Sequence, residues 1–350
     1  MVALAIITAN SFAQVQSDIQ SATLIHGDQT RVFYGMNAFS SACSAAADEG
    51  DIIVLSAGSF NSGSDITKSL TIYGRGYTTD TESGLEPTIL SNGLKIVAKE
   101  SQDEQGNQVY VYPEVTLEGL YFPNYDLKID GDTHGATLKN LKIRKCKGNF
   151  ESYTDSENCL VTQSVFSTFN FAYTGCTAKQ FNIENSWIGL IKGNKDVTNN
   201  VNFDHCIIQN SAGGPYTNMY YYNSGIAHYT NSIIYSSLPT YSTSSNNIFV
   251  SSSGSTETVD ANGNWLGVSN ALVWEEGNED GSYDDTKTYA IKFPTKYVGT
   301  DGTQVGINGG HAPFDRISPI PRILAAEVDL RTAEDGKLNV SFKVEAQTKE

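Results

Sequence analysis

The chain is short of basic residues: 23 Lys and Arg stand against 39 Asp and Glu, a formal charge of −16 over 350 residues. Nucleic-acid binding is excluded as an expectation, because neutralising phosphates takes a basic surface. Charge of either sign is scarce at 18%, below the roughly 25% usual for soluble domains. Proline is scarce at 9 residues. No apolar run reaches the roughly 20 residues of a membrane-spanning helix. The 5 Cys (43, 146, 159, 176, 206) form no CxxC or Cys/His metal spacing. Four of them fall in apolar, strand-like segments, so buried free thiols are expected rather than disulfides.

What fills the gap is 31 Gly, uncharged polar residues and 11% aromatics, 19 of them Tyr. That much apolar area excludes a disordered chain. At the amino terminus VALAIITA (2–9) precedes Ser11 and Ala13. These sit at −3 and −1 of a small-x-small cleavage site before Gln14, though no positive leader segment precedes them. Residues 1–13 are therefore expected to be a secretory signal, and the mature protein extracellular, periplasmic or on the cell surface.

A repeat sets the architecture. LEGLYF (117–122), LKNLKI (138–143), VTQSVF (161–166), IENSWI (183–188), FDHCII (203–208) and YTNSII (229–234) start 21, 23, 22, 20 and 26 residues apart. TKSLTI (67–72) and SNGLKI (91–96) extend the pattern upstream. One apolar column reads Ile72, Ile96, Phe122, Ile143, Phe166, Ile188, Ile208, Ile234. A second, two residues earlier, reads Leu70, Leu94, Leu120, Leu141, Ser164, Ser186, Cys206, Ser232. Short strands repeating near 22 residues without a helix predict an all-β, right-handed parallel β-helix of about nine coils between Asp51 and Val250. The column Gly119, Asn140, Gln163, Asn185, His205, Asn231 is expected to be a turn ladder bonded along the axis. His205 is read as a ladder member rather than a catalytic base.

The ends need covering, since an open coil exposes strand edges. Asn37 is expected to cap a helix whose Phe39, Ala42, Cys43 and Ala46 share one face, with Gly50 closing it. Residues 14–50 then form an amino-terminal strand and capping helix, and 51–315 the β-helix with a distal cap that includes Trp265 and Trp274. Residues 316–350 form a hairpin-like tail.

The stretch DIIVLSAGSFNSGSDITKSLTIYGRG (51–76) resembles the first coils of pectin-lyase-like right-handed β-helix proteins. The run 280–310 is similar to the closing segment of secreted bacterial members. PIPRI (319–323) with KLNVSFKVEAQ (337–347) is similar to the tails of exported bacterial β-helix proteins without assigned activity. The resemblance covers most of the mature chain and implies the fold; it leaves function open, because that superfamily holds lyases, hydrolases, adhesins and non-enzymes.

Enzymes of this fold mostly cleave acidic polysaccharides, and a lyase needs a cation beside the uronate and a base for the α-proton. Lys128, Lys139, Lys142, Arg144, Lys145 and Lys147 form the one basic spot. Arg144 is the candidate base, with Asp126, Asp130 and Asp132 as candidate Ca²⁺ ligands. The competing reading is a solvated face with salt bridges between coils. The acidic run Glu275, Glu276, Glu279, Asp280, Asp284, Asp285 matches a calcium loop only in part and reads as a solvated loop. Paired carboxyls of a glycosidase are not found in the central coils. Tyr216, Tyr220, Tyr221, Tyr222 and Tyr229 crowd a long loop, where rings and phenols suit a glycan or protein contact. With Lys142 and Lys145 they are the candidate substrate-binding residues.

Three functions follow as expectations. The first is a secreted or cell-surface, non-catalytic β-helix that binds a polysaccharide or another cell-surface component. The alternatives are a Ca²⁺-dependent polysaccharide lyase centred on Arg144 and a structural or assembly role for the tail.

Overall fold

The computed structural model describes residues 20–47, 50–63, 65–79, 84, 86–131, 135–171, 177–193, 199–209, 227–235, 238, 242–251, 256–275, 281–316, 322–328 and 340–345. The expected signal segment, Cys176, Asp132 and the Tyr-rich stretch 210–226 lie outside them. The chain winds as a parallel β-solenoid of about eight turns with very little helix, close to the nine coils expected.

Two long sheets make its walls. The first stacks Asp51–Leu55, Leu70–Tyr73, Val115–Glu118, Lys142–Arg144, Asp155–Thr162, Ala178–Glu184, Asn199–Asp204, Ala227–Thr230 and Thr243–Ser245, each parallel to the next. The second runs from Leu94–Ile96 through Leu127–Ile129, Lys147–Ser152, Val165–Phe171, Trp187–Gly193, Ile207–Ile208, Ile233–Ile234 and Ile248–Ser251 to Trp265–Ser269. Period-two alternation turns Ile53, Ile72, Leu117, Ile143, Val161, Ile183, Phe203 and Tyr229 inward from the first sheet, all buried. Phe150, Phe166, Phe169, Phe171 and Phe181 fill the middle coils, with the Phe150 and Phe169 rings stacked at 4.3 Å.

The two walls meet at a corner built from one left-handed residue per coil. Gly119, Lys145, Gln163, Asn185, His205, Asn231 and Asn246 all have φ between 46° and 72°. At Gly119 a side chain is barred outright, since a Cβ would run into the Gly74 carbonyl oxygen. This corrects the expected ladder at one rung: Lys145, not Asn140, holds the place. The coil 137–152 has two left-handed residues five apart, Asn140 and Lys145, so LKNLKI mimics the corner motif one turn too early. For the same reason the first apolar column mixes walls. Phe166, Ile188, Ile208 and Ile234 stack in the second sheet, whereas Ile72 and Ile143 belong to the first and Ile96 pairs with Ile129.

The axial bonding is also displaced by one residue from its expected column. Ser164 Oγ accepts the Cys146 amide at 3.2 Å, Ser186 Oγ accepts that of Ser164 at 3.1 Å and Ser232 Oγ that of Cys206 at 2.9 Å. Asn247 and Asn264 continue this buried ladder. Cys43, Cys146, Cys159 and Cys206 are buried free thiols. Burial pushes Cys43 and Cys146 up to about 12 and Cys159 up to about 11.

At the amino-terminal end an antiparallel hairpin, Ser21–His26 with Gln29–Tyr34, adds to Asp51–Leu55. The helix Ala38–Ala45 buries Phe39, Ala42 and Cys43 as expected. It ends at Ala46 rather than Gly50, because Lys68 Nζ reaches the carbonyls of Cys43, Ser44 and Ala46. Arg322–Val328 and Val340–Glu345 pair as an antiparallel hairpin.

Residues 281–316 pack along the side of the solenoid. They run back along the solenoid as a strap over the corner and the outer face of the second sheet. Tyr289, Ile291, Tyr297, Val305, Ile307 and Phe314 bury a second core there with Val165, Trp187, Ile207, Ile233 and Ile248. Trp265 and Trp274 join this lateral core: Trp265 packs edge-on to Tyr297 and Trp274 Nε1 donates to Tyr235 at 2.7 Å. Lys147 pins the strap's start, 2.9 Å from Asp285 and within 4.8 to 5.9 Å of the Tyr283, Tyr121 and Tyr77 rings.

Phe169→Ala is expected to cost about 3–5 kcal/mol in urea unfolding, because the aromatic stack cannot collapse around the void. Tyr34→Ala, at a site 70% exposed, is expected to stay within about 0.5 kcal/mol.

Candidate functional site

Between the flanking loops the outer face of the first sheet is the chain's long polar surface. Alternation sends two columns outward, and each column crosses every coil. One contains Thr71, Thr116, Lys142, Leu160, Asn182, Asn202 and His228 in register. The other, next to the corner, contains Glu118, Arg144, Thr162, Glu184, Asp204 and Thr230.

The first column floors a groove of about 530 Å³ lined by Gly50, Ser69, Leu70, Thr71, Glu114, Thr116, Asn140, Lys142 and Asn158. Asn158 donates to Asn140 Oδ1 at 2.7 Å and Asn140 donates to Glu114 Oε1 at 2.5 Å, which fixes the groove wall across three coils. Lys142 is exposed and has no ion-pair partner among the described residues. A straight, polar groove with fixed amides, hydroxyls and one unpaired cation is chemically suited to the hydroxyls and carboxylates of a linear glycan.

The corner column carries the charged chemistry. Glu184 and Asp204 are register partners on adjacent coils. Burial raises the Glu184 carboxyl above its ordinary range, the Asp204 charge adds to this, and the nearby His311 and His205 do not offset it. Burial also pushes Asp204 upward, but hydrogen bonds from His205 at 3.1 Å, Thr230 at 2.7 Å and Asn231 at 2.8 Å outweigh it and hold Asp204 low. The environment thus shifts two neighbouring carboxyls in opposite directions. The sequence reading passed over this pair, although a signal was there: each acid immediately precedes a corner residue, Asn185 or His205.

The residues singled out from the sequence are dispersed. Arg144 is half-exposed, 3.4 Å from Glu118 and 3.0 Å from the Gln163 amide oxygen, beside no candidate metal ligand. Asp130 follows a strand of the second sheet and pairs with Lys95 at 2.7 Å and Lys128 at 3.5 Å. Asp126 precedes the same strand, and among the described residues no group of three acids or histidines is placed to hold a metal. Tyr229 is not a surface contact residue: its ring lies in the core, stacked on Phe203 at 5.0 Å. Lys145 is equally removed from a ligand, because its buried amine pairs with Asp315 of the strap at 3.0 Å. Lys142 alone of the described candidates lines the groove. Tyr216, Tyr220, Tyr221 and Tyr222 fall outside the described residues.

Comparison with protein-family profiles, curated proteins and solved structures gave no significant match. No helix among the described residues is long and apolar enough to cross a membrane.

Glu184→Gln tests the electrostatics of the pair. A carboxyl raised by folding stabilises the native state while protonated and loses that stability as pH rises. The variant is therefore expected to unfold at higher urea than the parent at pH 7 and together with it at pH 3.5.

Proposed function

We propose that the protein is an exported member of the pectin-lyase-like β-helix group that binds a linear polysaccharide along the outer face of its first sheet. The observation that carries this reading is the polar groove at Lys142. It runs across successive coils, so its donors repeat at strand spacing, about 4.8 Å. That spacing is of the order of a sugar ring, and a rigid solenoid presents the repeat with little conformational entropy to lose on binding. Cell-surface or extracellular placement fits such a ligand.

Glycan arrays carrying neutral and uronate oligosaccharides test it. Binding is expected to weaken about 2- to 10-fold in Lys142→Ala and in Asn158→Ala, the range for one lost hydrogen bond. Binding to nothing on the array, or binding untouched by both substitutions, defeats the reading.

A second reading is favoured by one observation, the opposite shifts of the adjacent Glu184 and Asp204 carboxyls. A neutral acid beside a charged carboxylate is the division of labour that glycoside hydrolysis requires, with Glu184 protonating the leaving oxygen and Asp204 acting on the opposite side. New reducing ends released from polygalacturonate or a neutral glucan, and lost in both Glu184→Gln and Asp204→Asn, are the expected result of that reading. No release by the parent protein removes it and leaves the binding proposal standing.

A further inference from the structure

The first sheet begins, at the amino-terminal end of the solenoid, with the strand Gln29–Tyr34, which among the described residues pairs only with Ser21–His26. Ser21 lies opposite Tyr34, and the Gly35 amide donates to Gln20 O at 2.8 Å. Antiparallel ladders turn successive residues alternately to one side and the other. Gly35, Phe33 and Arg31 therefore bond towards Ser21–His26, and the N–H and C=O groups of Thr30, Val32 and Tyr34 point away from the sheet. No described residue meets these groups with a backbone bond.

This edge has none of the usual protections. Its 6 residues, QTRVFY, include no proline and no carboxylate, and the register with its neighbour has no bulge. Val32 and Tyr34 are 43% and 70% exposed, and Met36 follows at 55%. The far ends of the two walls are blunter: Thr243–Ser245 has 3 residues and Thr258–Val259 has 2. Charge distinguishes the amino-terminal end as well. In a chain of charge −16, two copies repel wherever their acids meet. The edge strand and the capping helix AFSSACSA beside it contain one charged side chain, Arg31, and no carboxylate.

We infer that this edge pairs antiparallel with the same edge of a second copy, across a two-fold axis at Val32. Only one self-pairing register uses every outward group. It sets Thr30 opposite Tyr34, Val32 opposite Val32 and Tyr34 opposite Thr30, each pair exchanging two N–H···O bonds. Arg31 then lies opposite Phe33 of the other copy rather than opposite a second Arg31. The guanidinium suits such a ring, since within one chain it already sits 4.7 Å from the Phe33 centroid. Asp28 of the hairpin turn falls opposite Met36, not opposite an acid. The two-fold closes the assembly at two copies, with the solenoids extending in opposite directions from the joint. The inference does not rest on any ligand for the groove.

Sedimentation velocity of the full chain tests it, with a reversible monomer–dimer equilibrium expected. Val32→Pro removes the central outward N–H and leaves the ladder to Ser21–His26 intact. Symmetry removes two bonds at once, so its dimer dissociation constant is expected to rise about tenfold or more. Val32→Cys reads the register, because the two Cα atoms would stand about 5.5 Å apart, within reach of a disulfide. Oxidation with diamide is expected to give a covalent dimer of Val32→Cys, and none of Thr30→Cys or of the parent. A parent that stays monomeric, a dimer untouched by Val32→Pro, growth beyond two copies, or equal cross-linking of the two Cys variants overturns the pairing. Should Val32→Pro fail to fold, Val32→Lys replaces it: two opposed ammonium groups are expected to weaken the dimer, and an unweakened dimer overturns the pairing.

Discussion

Everything in this molecule hangs on the left-handed residue at the corner of each coil. A right-handed or extended residue there would send the chain out of the plane of the coil, and neighbouring turns could not stay in register. The conformation itself is unfavourable by about 1–2 kcal/mol for a residue with a Cβ. It persists because the corner backbone still bonds to the next coil, as Gln163 N to Glu184 O and Asn185 N to Asp204 O do. The side chains then add about 1 kcal/mol per hydrogen bond on the strap. Asn185 makes two such bonds, so the strain and its compensation are of the same size. Corner and strap are consequently one construction: without the strap Asn185 loses both of its side-chain bonds and Gln163 and Asn231 lose part of theirs.

The solenoid was legible from the sequence because its signal is periodic and its cause is local. Inward residues at every second position, polar turns and a period near 22 residues leave few other solutions. What was misplaced has an equally local cause. Asn140 and Lys145 are both left-handed in one coil, and sequence alone cannot say which of two adjacent turn motifs aligns with the neighbouring coil. The structure chooses through pairing: Ile143 lies opposite Val161, not Phe166.

The strap was less legible, though not hidden. Val165-Phe166, Trp187-Ile188, Ile207-Ile208 and Ile233-Ile234 are apolar doublets in strands that should alternate. One member faces the interior and the other faces outward, so a doublet repeated in four coils means that both faces are covered. The apolar columns took in only the inner member of each pair and left the second core unread. The site residues were harder still. Tyr229 looked like part of an aromatic loop, but its place in the register opposite Phe203 sends it inward. Lys145 looked like part of a basic patch, but the corner conformation turns it to Asp315. Sequence neighbours share composition without sharing direction, and in a solenoid direction decides function.

The charge distribution then takes on a physical sense. A strongly acidic chain gains little by placing two carboxyls side by side on adjacent coils, half-buried, where each raises the energy of the other. Glu118 and Arg144 show that the same column can neutralise itself with an ion pair. Two coils further on, the corresponding places hold Glu184 and Asp204 instead, and only Asp204 is supplied with donors. A solenoid selected for stability alone would carry an amide or hydroxyl at 184, as Thr162 and Thr230 do at 162 and 230. The strained pair sits on the polar wall of the first sheet, each acid just before a corner residue, Asn185 or His205, that bonds to the strap. Stability gives no reason for that concentration of unfavourable charge.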